Sequence, residues 1–292
     1  MAKIRVDKKN RIKESRVFMT VDYIIMTLFS LICIIPLINI LALSFSSPNL
    51  PVMLLPKGFE FYSYAHVLQS VEFYRSFGVS LLITVVGTIG SVLVLALASY
   101  PLSKEHFPFR RGFMLFFIII MLFSGGIVPN FIWYKMIGMI DSIAVLILPN
   151  IVSVFNLILI KSYFEGLPES VEEAAKIDGA GNVRILFSIV LPMCVPILIT
   201  VGLFTVVAFW NNYQSALYYL PTNTKIYPLA MYILNFTQSS AVDSIFADPD
   251  RAAHKSNIEA AMIVISIIPI VAAYPFFLKY FTSGITLGAV KA

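Results

Sequence analysis

The sequence predicts an all-α membrane protein with six transmembrane helices, and three observations predict it. Hydrophobic residues make up 59% of the 292 residues and charged residues only 13%, with a mean hydropathy of +0.86. A soluble domain averages about half apolar and about a quarter charged. The charges that remain are bunched, leaving charge-free gaps at 23–56, 76–103, 112–134, 142–160, 185–224 and 260–278. Crossing about 30 Å of hydrocarbon takes about 20 helical residues, so each gap holds one helix or nearly so. Lys and Arg, finally, divide unevenly between alternate connections, which fixes an orientation. The gaps argue for one membrane domain, 17–292, behind a basic tail, 1–16.

The first helix starts near Val17, ahead of its gap, with Asp22 close to one interface. Its apolar run is longer than the about 7–15 residues of a signal-peptide core, so it reads as an uncleaved anchor. In the second helix, Gly87 and Gly90 of "VVGTIGS" suit close packing. Ser124-Gly125-Gly126, followed by Pro129, breaks the third as a hinge or a close crossing. The fourth gap is uninterrupted by charge. The fifth is twice a span, and Pro192 and Pro196 divide it into an interfacial segment, a span over 192–211 and a mouth region. The sixth covers 260–278.

With the N-terminus inside, the tail and the connections around Lys104, Arg110 and Lys161 hold most of the 21 Lys and Arg. The formal charge of +5 is then accounted for by a basic face against an anionic leaflet, with no nucleic-acid partner. Cys33 and Cys194 sit in or beside apolar runs far apart, as free buried thiols. His66, His106 and His254 are scattered in loops and outline neither a metal site nor a catalytic dyad. The chain has no Gly-x-x-x-x-Gly-Lys-Ser/Thr loop, so any ATP must be hydrolysed by another subunit. An enzyme within this polypeptide is not expected.

This orientation makes 161–190 the longest polar cytosolic connection. Pro168 suits a first helical position, and Glu169, Glu172 and Glu173 crowd the first turns, where the helix dipole favours negative charge. Val171, Ala174, Ala175 and Ile177 give a small apolar face, and Gly179 ends the helix. A second helix starts with Asn182 as its cap, and Val183, Leu186, Phe187 and Val190 form its apolar stripe. The acidic residues, with Glu165 and Asp178, outnumber Lys161, Lys176 and Arg184, which suits a basic protein surface better than anionic lipid. Physics alone leaves a second reading open: an interfacial helix pair packed on its own bundle.

The spacing of Glu173-Ala174-Ala175, Gly179, Ile189 and Leu191-Pro192 resembles the EAA loop of permease subunits of binding-protein-dependent ABC importers. "SGGIVPNFIWYKMIGMIDSIAVLILPNIVSVFNLILIKSYFEGLPESVEEAAKIDGA", "FWNNYQSALYYL" and the ending "SGITLGAVKA" look like carbohydrate importer permeases, in the branch that takes complex oligosaccharides including plant and algal uronides. The likeness runs over most of the chain from about residue 17. It implies a type I ABC importer permease fold in a bacterial cell membrane. The loop becomes a coupling helix docked in a cleft of an ATPase subunit. Glu173 would bond a basic group there, Ala174 and Ala175 would permit close approach, and Gly179 would make the turn. Glu172, Asp178 and Ala180 complete the coupling set. Implied partners are a second, related permease, two ATPase subunits that bind ATP and Mg, an extracytoplasmic solute-binding protein and membrane lipid. This chain itself would bind no cofactor.

A substrate path is expected where spans carry polar groups, which are costly in lipid and face a wet interior. Asn150, Ser153 and Asn156 recur every three residues, as one face of the fourth helix. Trp210, Asn211, Asn212 and Tyr213, with Gln214, form a polar-aromatic cluster suited to the apolar faces and hydroxyl rim of a sugar. Two other uses stay open: helix–helix hydrogen bonds for Asn150 and Asn156, and an interfacial aromatic belt for Trp210, Tyr213, Tyr218 and Tyr219. The outer loop, about 215–257, holds a polar stretch over 239–257 that is either a docking surface for a binding protein or a solvated loop. A self-sufficient carrier or channel is the rival class. Asp22 and Asp141 lie near opposite interfaces and the span centres carry no charge, which weighs against proton coupling. An importer permease for a non-sugar solute is the other alternative.

Overall fold

A computed structural model gives the fold of residues 16–48, 54–238 and 254–288. Arg16 is thus the one described residue of the basic tail, and 239–253 of the outer loop also lie outside the described residues. Among the described residues all regular structure is helical. Three long helices anchor it: α1 (Arg16–Ser44), α3 (Val71–Ser103) and α14 (Lys255–Gly288), with α2 (Tyr62–Gln69) between the first two. Three bent pairs follow α3. They are α4 (Arg110–Leu122) with α5 (Ile127–Met136), Ala144–Asn150 with α7 (Val154–Glu165), and Asn182–Met193 with α11 (Val195–Trp210), bent by 111°, 43° and 80°. Here α6 is Ala144–Ile147, α9 is Asn182–Ile185 and α10 is Leu191–Met193. By length and composition three helices can cross a membrane, or six spans if each bent pair is one. The chain also carries α8 (Glu169–Ile177), α12 (Gln214–Tyr219) and α13 (Leu229–Gln238).

Each break has a local cause. Gly126 ends the Ser-Gly-Gly stretch with φ +84°, in the left-handed half of the map that glycine enters freely. Pro192 and Pro196 flank the bend at Cys194, where their missing N–H groups weaken the ladder. The pair that fills the fourth gap, Ala144–Asn150 with α7 and hence the fourth pair, breaks between Asn150, in a 3-10 turn, and Ser153, whose Oγ caps α7 by accepting from Asn156 N at 3.4 Å. Asn150, Ser153 and Asn156 therefore do not share one continuous helical face, contrary to the three-residue pattern. The first gap also overstates its helix. α1 stops at Ser44, and Phe45 then stacks on Phe59 at 5.3 Å and on Tyr64 at 4.7 Å.

α3 is the hub, packed by α7 and α11. Its buried side carries Ser76, Ser80, Thr84, Ser91, Ser99 and Ser103, small side chains that let neighbouring helices approach. Ser91 Oγ donates to Ile151 O at 2.7 Å and Ser99 Oγ to Leu157 O at 3.0 Å, tying α3 to the fourth pair. A Cβ at Gly87 would fall 2.5 Å from the Phe209 ring, so only hydrogen fits there. Asn257 Nδ2 donates to Leu43 O and Ser46 O, both at 2.8 Å, and pins α14 to the end of α1. Along most of its length α1 exposes apolar side chains on every face, the pattern of a helix bathed in lipid.

Candidate functional site

Two places collect the expected residues. The first is α8. Pro168 is its N-cap, with extended ψ of 123°, rather than its first helical residue. At the other end Gly179 adopts φ +81° while its N–H reaches Lys176 O at 3.0 Å, and Ala180 N reaches Ala175 O at 2.9 Å. This closes the helix as a glycine-terminated turn. The expected coupling residues then divide. Glu173, Ala174, Asp178 and Gly179 are exposed and Ala180 is half-buried. Ala175 and Glu172 turn inward, each 8% exposed. Ala175 joins a core with Leu102, Phe164 and Ile185. Glu172 forms an ion pair with Lys104 and accepts from Tyr100 Oη at 3.4 Å. Ile177, expected on the buried face, is 86% exposed.

Beyond the turn Asn182 is the first helical residue and Gly181 the cap. The expected stripe is rotated. Ile185, Leu186 and Val190 are buried, whereas Val183 and Phe187 are exposed. A π-helical turn over Leu186–Val190 widens the helix there and shifts Phe187 around the axis, whereas Val183 lies ahead of it in α9. Nearby, Arg110 and Lys161 both pair with Glu165, Lys161 at 2.7 Å, and Arg110 Nε donates to Leu102 O at 2.9 Å. These contacts join α3, α4 and α7 at the same end.

The second place is a cavity of about 260 Å³ between α3, the fourth pair and the end of α11. Asn150, Ser153, Asn156 and Asn212 all line it, so the break in the fourth pair still brings its polar residues together. Asn212 Oδ1 accepts from Ser215 N at 3.1 Å and its Nδ2 donates to Ser215 Oγ at 3.0 Å. Asn150 Nδ2 donates to Leu146 O at 3.1 Å. Asn156 Nδ2 faces Thr205 Oγ1 at 3.5 Å. Trp210, Asn211 and Tyr213 lie elsewhere. Trp210 is 6% exposed, sits edge-on to Phe77 and donates from Nε1 to Ser266 O at 3.1 Å. Asn211 ends α11 and Tyr213 precedes α12, both exposed.

Sequence reasoning missed Ser91, Thr205 and Phe209 in this lining. Thr205, Phe209 and Asn212 stand at i, i+4 and i+7, a helical signal that was available. No lining residue is charged. A larger recess of about 550 Å³ opens at the N-terminal end of α3, among His66, Gln69, Glu72, Tyr232 and Asn235. It holds none of the expected path residues and lies at helix ends rather than at mid-span. Tyr219 is buried edge-on against Tyr134 at 4.9 Å instead of joining an interfacial belt.

At the same end as that recess Asp141 sits at φ 57° and accepts from Thr222 Oγ1 at 2.7 Å, Asn223 N at 2.9 Å and Thr222 N at 3.0 Å. The Thr222 hydroxyl first, then the Asn223 amide, hold its carboxyl below the usual range. Cys33 is exposed and Cys194 buried, and both are free. Among the described residues no three His, Cys, Asp or Glu side chains gather as a metal site.

No protein-family model matches the chain. Individual proteins do. The polygalacturonan/rhamnogalacturonan transport system permease protein YtcP of Bacillus subtilis strain 168 is 36% identical over 284 residues, which is 95% of this chain and 99% of that protein. Protein LplC of the same organism is 36% identical over 285 residues, covering 96% of each. Among solved structures, one chain of a bacterial ABC transporter involved in the import of the acidic polysaccharide alginate superposes with a TM-score of 0.84. It is 30% identical and covers 92% of this chain and 98% of that one. A chain of the bacterial alginate ABC transporter in complex with an alginate pentasaccharide-bound periplasmic protein shares the fold at a TM-score of 0.59, with 15% identity over 90% and 93% of the two chains.

Proposed function

The chain belongs to the carbohydrate permease subunits of ABC importers, and from that premise we propose that its cargo is an oligosaccharide built from uronic acids. One observation carries this. The relatives at 36% and 30% identity, matched over nearly the full length of both partners, are named for polygalacturonan and alginate transport. Both are acidic polysaccharides. The cavity supports the reading, because Asn150, Asn156 and Asn212 amides can donate to carboxylates and hydroxyls alike and no acidic group lines the wall to repel a uronate. Its volume of about 260 Å³ falls below the roughly 300–1,000 Å³ of ligand pockets. That supports a passage whose other wall comes from a second, related permease.

Two ATPase subunits and an extracytoplasmic binding protein complete the complex. ATP and Mg bind on the ATPase subunits, and this chain carries no cofactor. The N-terminus lies in the cytoplasm. The exposed face of α8 and its turn, with Glu173, Ala174, Ile177, Asp178, Gly179 and Ala180, docks on an ATPase subunit, where Glu173 makes a charge-assisted bond. Glu172 and Ala175 hold that face from behind. Closure of the ATPase dimer on ATP displaces α8, tilts the spans and opens the cavity to the loaded binding protein. Hydrolysis returns it inward.

The test is co-purification from native cells in mild detergent, followed by uptake in proteoliposomes of the whole complex. Labelled oligogalacturonate should be taken up with ATP and displaced by unlabelled oligouronides, but not by maltodextrin or amino acids. Preference for maltodextrin would overturn the uronide reading and leave the family assignment standing.

A further inference from the structure

Glu172 and Glu173 are neighbours, and a helix turns about 100° per residue, so they point in different directions and only Glu173 is exposed. The other faces this chain. Glu172 is the inward one: its side chain is 10% exposed and its partner Lys104 is 34% exposed. Lys104 Nζ also lies 4.7 Å over the centre of the Tyr100 ring, while Tyr100 Oη donates to the same carboxylate. Among the described residues this is the only ion pair that α8 makes. The nearby cations Arg110 and Lys161 both pair with Glu165 and leave α8 out.

Lys104 is the C-cap of α3, and this position gives the pair its meaning. α3 runs unbroken from Val71 to Ser103 and supplies Ser91 to the cavity wall. At about 1.5 Å per residue, Ser91 stands roughly 20 Å from Lys104 along one continuous helix, with Pro101 in its last turn. Along the chain α8 also joins the cavity in two ways, back through residues 166–168 into α7, which carries Asn156, and forward through a π-helical turn and the 80° bend at Cys194; neither of these includes α3.

We propose that the Glu172–Lys104 pair makes Glu172 a positioning residue that forces α3, and with it the cavity wall, to follow α8. This rests on the reading that α8 docks on an ATPase subunit. The pair transmits displacement; the exposed Glu173 face receives it.

The experiment compares variants of the whole reconstituted complex by ATPase subunit retained, ATP hydrolysed and oligogalacturonate taken up. Glu172→Gln and Lys104→Met should each retain the ATPase subunits and continue to hydrolyse ATP, while uptake per ATP falls about tenfold, the scale of coupling between contacting residues. Removing one member of a buried pair can also destabilise the chain, so the double variant Lys104→Glu/Glu172→Lys keeps the idea testable. It should recover most of the lost uptake per ATP. A purely structural role would lower the amount of complex and leave that ratio unchanged, which would overturn the proposal. So would loss of ATPase binding in Glu172→Gln, which would put Glu172 in the docking surface. Failure of the docking reading shows up separately, as no ATPase subunit co-purifying with the unaltered chain.

Discussion

At the α8 end, the inward-turned Glu172 meets Lys104 and Tyr100, and Arg110 and Lys161 share Glu165. At mid-span the polar groups are neutral. Asn150, Asn156 and Asn212 donate amide hydrogen bonds around the cavity, and the buried hydroxyls of Thr84 and Thr88 on α3 have no hydrogen-bond partner among the described residues. The difference teaches how one chain can hold a rigid end and an adaptable middle, the two properties that the proposed coupling and passage require. Charge pairs fix geometry because separating them leaves a poorly solvated ion. Neutral hydroxyls and amides exchange partners at about 0.5–1.5 kcal/mol each. The α8 end is therefore suited to move as a unit, and the cavity to change shape when it does.

The sharpest way to break this comparison is Gly87→Leu. A Cβ there meets the Phe209 ring at 2.5 Å, and overpacking of this kind costs about 1–3 kcal/mol. Thermal unfolding in detergent should shift down and uptake should be lost, yet ATPase subunits should still co-purify because α8 is untouched. Loss of both would show that the two regions are not separable.

Gly179→Val should act at the other region. Among the described residues, its chain neighbours aside, no atom lies within 4 Å of a Cβ there, so the cost is that of the left-handed backbone, about 1–2 kcal/mol. Uptake and ATPase retention should fall together, and Gly179→Asn, which tolerates that conformation, should keep most of both. Full activity in the valine variant would remove the turn from the coupling surface.

A smaller and opposite effect is expected for Thr84→Val, which deletes a buried hydroxyl that has no hydrogen-bond partner among the described residues. Stability should rise by up to about 1 kcal/mol with uptake unchanged, because Thr84 is not among the residues that line the cavity. A fall in uptake would show that the hydroxyl serves transport in another arrangement.

The smallest effect is at the Asp141 turn, outside both regions. Its carboxyl is held low by the Thr222 hydroxyl and the Asn223 amide, so its contribution is fully present above the unfolded value of about 3.9. That contribution is lost as pH falls through the lower folded value. The unfolding midpoint of the unaltered chain should drop more steeply on acidification than that of Asp141→Asn. Parallel curves would show that the turn does not contribute.

Much of this molecule was legible in the residues. Charge-free gaps gave the six runs, and Ser124-Gly125-Gly126 and Pro192 with Pro196 marked two of the three bends. Gly179 marked the turn after α8. These signals are local: a glycine's freedom or a proline's missing N–H acts where it stands. The cavity was half legible. Asn150, Ser153, Asn156 and Asn212 were found, but as one helical face and as part of an aromatic cluster that the structure takes apart.

By itself the sequence determined the fold class, the number and punctuation of apolar runs, and the family, since all three depend on composition and on residues read in order. Tertiary structure alone decided which of two neighbours faces in: Glu172 rather than Glu173, Asn212 rather than Asn211, and Ile185 rather than Val183. Along a helix one position is a rotation of about 100°. A 3-10 cap, a π-turn or a bend resets that rotation, and the contacts that select among them come from elements distant in the chain.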